Sequence, residues 1–181
     1  IRENKDQPFF LYYANPIPHL ALQVPDENLQ EYKEMWPGEK PYNGKRGYLP
    51  HENPRAAYAA MVSHMDTSVG KILDLLKELK IDDNTMVVFT SDNGPTYLGG
   101  YDREFFNGSG KLRGYKGNLY EGGIRVPMVV RWPGKIKAAT VNDHVGAFWD
   151  FMATTADMSG AATPATDGIS FLPTLLGEEQ K

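Results

Sequence analysis

The sequence predicts an α/β fold, and three observations carry that prediction. A long amphipathic helix opens at Asn53-Pro54. A continuous apolar, β-branched strand, Thr85-Met86-Val87-Val88-Phe89-Thr90, follows it, and a second strand runs over Val126-Pro127-Met128-Val129-Val130-Arg131. A strand apolar on both faces belongs to a sheet of parallel type covered by helices, so helix followed by buried strand is an α/β pattern.

Taken in order, Pro8-Phe9-Phe10-Leu11-Tyr12-Tyr13-Ala14 reads as a buried strand stopped by Asn15-Pro16-Ile17-Pro18, with His19 just beyond the stop. From Asp26 to Pro50 the chain turns polar, with a short helix near Glu27–Met35 and an excursion loop marked by Pro37-Gly38 and Asn43-Gly44. Asn53 is the expected N-cap of the long helix and Pro54 its first residue. Tyr58, Met61, Met65, Val69, Ile72, Leu73, Leu76 and Leu79 then fall on one face, and Asp82-Asp83-Asn84 ends the run. Between the two strands, Pro95 to Gly123 is a glycine- and aromatic-rich stretch of about thirty residues, a length typical of functional loops. Trp132-Pro133-Gly134 ends the second strand, and a helix near Ala147–Met158 closes at Gly160.

With 181 residues, 41% of them hydrophobic, the chain has enough apolar material for the core of one domain or a large piece of one. The net charge of -4 comes from 19 basic and 23 acidic residues spread along the sequence, which excludes the concentrated basic face of a nucleic-acid binder. No apolar run approaches the roughly 18 residues of a membrane span. Zero cysteines exclude disulfides, thiolate metal sites and a cysteine nucleophile within these residues. Ile1-Arg2-Glu3-Asn4-Lys5-Asp6 lacks the pattern of a targeting signal, and Ile1 is expected to be a cut point. Nothing in the sequence speaks to oligomeric state.

In open α/β sheets, ligands bind outside the carboxyl ends of strands. Three polar features fall there: His19, Asp92-Asn93, and the long loop that follows. Asp92 and Asn93 offer a carboxylate and an amide oxygen suited to Ca²⁺ or Mg²⁺, although Asp-Asn-Gly after a strand is also an ordinary turn or cap. Lys111, Arg113 and Lys116 among Gly108, Gly110, Gly114 and Gly117 read either as an anion-binding loop or as a solvated one. Glu121-Gly122-Gly123-Ile124-Arg125 reads as structural, its glycines allowing close backbone packing. His51, His64 and His144 read as non-catalytic, and Tyr12, Tyr13, Trp132 and Trp149 as core.

The order of these pieces resembles the formylglycine-dependent sulfatase family, of the arylsulfatase A and N-acetylgalactosamine-6-sulfatase type. The resemblance is carried by Pro18-His19, by Tyr58-Ala59-Ala60-Met61-Val62 with Asp66, and by Phe89-Thr90-Ser91-Asp92-Asn93-Gly94. It continues through Leu112-Arg113-Gly114-Tyr115-Lys116, Tyr120-Glu121-Gly122-Gly123-Ile124-Arg125-Val126-Pro127, Trp132-Pro133-Gly134 and Asp167-Gly168-Ile169-Ser170-Phe171-Leu172-Pro173. It implies an alkaline-phosphatase-like sandwich of helices around a mostly parallel sheet, of which residues 1–181 are part of the catalytic domain. The resemblance further implies that Asp92 and Asn93 are the second pair of calcium ligands, that Lys116 binds the substrate sulfate, and that His19 contacts the sulfate and leaving group. Both His19 and Lys116 are thus expected in catalysis and substrate binding. The implied substrate is a sulfated small molecule or glycan, and the implied location is periplasmic, secreted or lysosomal.

The sequence also departs from the family pattern. The family's Cys/Ser-x-Pro-x-Arg motif and its early Asp-Asp pair are not found in these residues. This stretch alone is therefore expected to be inactive and to hold calcium weakly or not at all, since Ca²⁺ takes about six to eight oxygens. A C-terminal subdomain is expected after Lys181. In the last helix, Asp150-Phe151-Met152-Ala153-Thr154-Thr155 stands where relatives have Pro-Thr after the aspartate. Two alternatives differ in class: a phosphodiesterase or phosphonate hydrolase of the same superfamily, disfavoured by Asn93, and a non-catalytic module gripping an anionic glycan through Lys111, Arg113 and Lys116.

Overall fold

The computed structural model describes residues 1–180, without the side chain of Arg46; Lys181 lies outside the described residues. Helices α1 (Asp26–Met35) and α2 (Pro54–Glu78) precede strand β1 (Val87–Thr90). Short helices α3 (Arg103–Phe106) and α4 (Glu121–Ile124) lie between β1 and strand β2 (Met128–Arg131), and α5 (Asp150–Ser159) and α6 (Leu172–Leu176) follow. The two strands form a two-stranded sheet. The chain divides into two units, one of Ile1–Leu79 with Thr90–Met128, the other of Lys80–Phe89 with the chain from Val129 onward.

In the first unit, α2 begins at Pro54 as the sequence predicts, but Asn53 makes no capping bond. The cap comes from Glu39 instead. Its carboxylate accepts from the backbone N–H of Arg55 at 2.6 Å and of Ala56 at 3.2 Å. First-turn N–H groups have no partner within the helix and carry its positive end, so a carboxylate there satisfies donors and charge together. The next turns bury Ala56, Ala57, Ala60 and Met61. Ala56, Ala57 and Met61 cluster with Leu22 and with Leu29 of α1. Polar side chains fasten the same pair of helices: the Tyr32 hydroxyl lies 2.5 Å from the Ser63 hydroxyl, and His64 Nδ1 lies 3.1 Å from Asn28 Oδ1. Further along, Met65, Val69, Ile72 and Leu73 are only half-buried, so the predicted apolar face is deeply covered mainly in its first turns and again at Leu76.

The predicted buried strand at Pro8–Ala14 is not formed. These residues belong to no regular element, and Phe10 and Tyr12 are 84% and 81% exposed. Apolar character alone does not make a strand; it needs hydrogen-bonded neighbours, and the sheet among the described residues contains only β1 and β2. For the same reason both strands are shorter than predicted and not fully buried, with Phe89 and Val129 at the surface. Tyr12, Tyr13 and Trp149 are likewise exposed and not core. Trp132 is half-buried and donates through Nε1 to the Asp83 carbonyl.

In the second unit, α5 starts three residues later than predicted and closes at Gly160 in the left-handed conformation. Its first residue, Asp150, is buried, and its carboxylate accepts from the N–H groups of Ala147 at 2.7 Å and Ile169 at 2.9 Å. One turn on, the buried Thr154 hydroxyl accepts from Phe171 N–H at 3.0 Å. These bonds tie Ile169–Phe171 to the helix, and α5 is regular where the sequence departs from the Pro-Thr pattern. Arg131 at the end of β2 makes a two-pronged pair with Asp82, at 2.6 and 2.8 Å.

Candidate functional site

Asp92 and Asn93 leave the end of β1 in an irregular turn. Asn93 Nδ2 donates to the Gly94 carbonyl at 2.9 Å, which commits the amide nitrogen and leaves the amide oxygen for another partner. Asp92 is exposed. This donor set, one carboxylate and one uncommitted amide oxygen, suits a hard cation. Among the described residues no three His, Cys, Asp or Glu converge in metal-binding geometry. The pair therefore fits as part of a hard-cation site and not as a whole one.

The turn is locked to the Lys116 loop through main-chain atoms. Gly94 N–H donates to the Gly123 carbonyl at 2.9 Å, Lys116 N–H to the Pro95 carbonyl at 3.0 Å, and Gly122 N–H to the Arg113 carbonyl at 2.7 Å. There is no room for side chains in this seam. A Cβ at Gly122 would stand 2.3 Å from the Gly114 carbonyl oxygen, and one at Gly94 would stand 1.9 Å from that of Gly122. The paired glycines of Glu121–Arg125 are thus structural, as the sequence suggests. Asn118, which sequence reasoning passed over, accepts from Tyr115 N–H at 3.2 Å and holds the turn that presents Lys116. Its one signal was its place between turn-forming glycines and aromatics.

The other cations of the loop are differently engaged. The Arg113 guanidinium lies 3.7 Å from the centre of the Tyr120 ring, while Lys111 is exposed. Of the predicted basic trio, Lys116 is the one whose backbone is tied to the Asp92-Asn93-Gly94-Pro95 segment. His19 is exposed, and its Nδ1 lies 2.8 Å from the Leu20 carbonyl. A carbonyl only accepts, so Nδ1 carries the proton and Nε2 is left for a ligand. Leu20 packs directly against Gly99, which joins the His19 segment to the loop after Asp92-Asn93.

The wall beyond this site is aromatic. Tyr101 sits with Tyr58 at 4.7 Å and with Phe106 at 5.5 Å between ring centres, and Trp36 packs edge-on to Phe105 at 5.2 Å. Arg55 pairs with Asp102 at 2.8 Å and lies 4.3 Å above the Phe105 ring, fixing α3 to the start of α2. Burial pushes the Tyr58 hydroxyl up to about 12 and raises that of Tyr101, so both stay protonated at neutral pH. Burial lowers the His51 imidazole, whose Nδ1 accepts from Asn53 N–H at 3.0 Å. His144 is exposed.

Comparison with known proteins identifies the family and the fold. The family model described as Sulfatase matches residues 1–161. Human N-acetylgalactosamine-6-sulfatase is 34% identical over 178 residues, covering 97% of this chain and 30% of that protein. Human arylsulfatase A is 32% identical over the same length, again covering 97% and 30%. The crystal structure of Ps i-CgsB in complex with k-i-k-neocarrahexaose superposes with a TM-score of 0.79 at 32% identity, over 99% of this chain and 36% of that one. The chain thus spans about a third of the length of these relatives. Their shared fold is alkaline-phosphatase-like, and this stretch is a partial α/β domain of it. Family membership suggests a metal-dependent enzyme, and no helix among the described residues is long and apolar enough to cross a membrane. With the motifs in order, the family model matching residues 1–161 of this chain and the fold in agreement, the chain belongs to the sulfatase family.

Proposed function

We propose that this stretch supplies the sulfate-binding side of a sulfuric ester hydrolase acting on sulfated sugars, on a secreted or lysosomal route. The observation that carries the reading is the main-chain seam that ties Lys116 to the Asp92-Asn93-Gly94 turn. Such a seam presents an ammonium and two oxygen ligands from one rigid frame, and preorganised charge is the main means of stabilising a transferring charged group. Lys116 draws the sulfuryl oxygens by charge. His19 offers Nε2, held by the Nδ1 contact with Leu20, to the sulfate or to the oxygen of the departing alcohol. Asp92 and the Asn93 amide oxygen would hold Ca²⁺, which when bound neutralises charge on the sulfuryl group. The nucleophile comes from outside residues 1–181, which hold no cysteine and no Cys/Ser-x-Pro-x-Arg motif.

The test is sulfate release from an aryl sulfate and from N-acetylgalactosamine 6-sulfate, with a nucleophile-bearing segment in place upstream. Release is expected, with a fall of at least about a hundredfold in Lys116→Ala, the scale of losing one oxyanion-stabilising group. Cleavage of an aryl phosphate in preference to the sulfate, or full activity in Lys116→Ala, would sink the reading.

A further inference from the structure

The chain contains the steps Asn43-Gly44, Asn93-Gly94 and Asn107-Gly108. As dipeptides they are the same chemical object, an amide side chain followed by a backbone nitrogen that no Cβ shields. The fold treats them differently.

Asn93-Gly94 lies in the glycine seam. The Gly94 N–H is committed to the Gly123 carbonyl at 2.9 Å, and the Asn93 amide nitrogen to the Gly94 carbonyl at 2.9 Å. Asn107-Gly108 closes α3. Asn107 takes the left-handed conformation of the helix cap, its N–H donates to the Arg103 carbonyl at 3.0 Å, and its own carbonyl accepts from Gly110 N–H at 2.8 Å. The Tyr101 hydroxyl packs against Gly108. Asn43-Gly44 has no such restraint. Asn43 is exposed and belongs to no helix or strand, and neither its side-chain amide nor the Gly44 N–H bonds to any group among the described residues. The residues on either side are tied: Tyr42 exchanges main-chain bonds of 2.9 and 3.0 Å with His51, and its hydroxyl donates to the Lys45 carbonyl. The peptide from Asn43 to Gly44 is the untied link between them.

We propose that Asn43 is a site of spontaneous modification, at which the folded protein turns an amide into a carboxylate while Asn93 and Asn107 are spared. The Gly44 nitrogen, its proton lost to solvent base, attacks the side-chain carbonyl carbon of Asn43. The new N–C bond forms, the bond from that carbon to Nδ2 breaks, and Nδ2 takes a proton from water and leaves as ammonia. Water then opens the cyclic imide. Addition at the side-chain carbon gives aspartate, and addition at the main-chain carbonyl carbon of residue 43 gives isoaspartate, whose backbone runs through the former side chain. Water is consumed and ammonia released, and nothing is oxidised or reduced. Either product sets a carboxylate between Lys40 and Lys45 in the sequence. At the other two steps a bond must break first: Gly94 has to leave Gly123, and Asn107 has to leave the cap of α3. The seam thus protects the Asn93 amide chemically as well as placing it.

The experiment incubates the purified protein in mildly alkaline buffer, folded and, in parallel, unfolded in guanidinium chloride. Asn43, Asn93 and Asn107 are followed by peptide mapping with mass spectrometry. In the folded protein Asn43 is expected to convert at least about tenfold faster than either of the others, the scale of breaking a main-chain hydrogen bond before reaction. In the denaturant the three should draw level. An Asn43 that stays intact in the folded protein, an Asn93 or Asn107 that keeps pace with it there, or a preference for Asn43 that persists undiminished after unfolding overturns the proposal.

Discussion

Around Lys116 the chain is held by main-chain atoms, whereas the wall formed by α3 is held by side chains. In the first region glycines meet carbonyl oxygens, and most of the hydrogen bonds run backbone to backbone, with the Asn118 side chain closing the turn. In the second, Trp36, Tyr58, Tyr101, Phe105 and Phe106 interlock, and Arg55 closes the contact through Asp102. A main-chain seam tolerates almost no change because backbone cannot be swapped for a smaller atom. A side-chain wall can be rebuilt one residue at a time. The contrast separates the segment that carries Lys116 from a wall whose side chains are open to exchange.

The largest effect should come from Gly122→Ala, since the added methyl meets backbone oxygen and the seam must part. A loss of about 3 kcal/mol in urea unfolding is expected, at the upper end for forced overpacking. Arg55→Ala removes a half-buried ion pair and the stacking on Phe105, and about 1.5 kcal/mol should be lost in the same assay. If Arg55→Ala proves costlier than Gly122→Ala, the contrast between the regions collapses. Next, Glu39→Ala uncaps α2 and should lower stability by about 1 kcal/mol, while Asn53→Ala should change it by much less.

The smallest effect is one of pH. The Asp102 carboxyl is held below its ordinary range, first by the N–H of Phe105 and then by Arg55. A depressed folded value means its contribution is complete above the unfolded pKa and disappears as pH falls through the folded one. Unfolding curves taken from about pH 5 down to about pH 2 should show that loss, and Asp102→Asn should flatten it. An unchanged acid profile in the variant would place the pairing elsewhere.

Helices α1, α2 and α5 were legible because their signals are local: periodicity, Pro54 at the first turn, Gly160 at the last. The glycine seam was legible for a related reason, since only close backbone approach asks for Gly122-Gly123 before a strand. Pro8–Ala14 misled because burial of a strand is set by neighbours that its own residues do not encode. Glu39 as cap was invisible for lack of any local pattern. Asp92, Asn93, Lys116 and His19 were marked by motif, and the structure adds how their segments are tied.

The Glu39 cap has a consequence for how this protein can diversify. Because Glu39 grips the root of α2, the chain between residues 40 and 53 leaves and returns at one fixed hinge point. Tyr42 and His51 also pair across its mouth through two main-chain bonds, so a change in length or charge between them should leave its mount, and the helix behind it, in register.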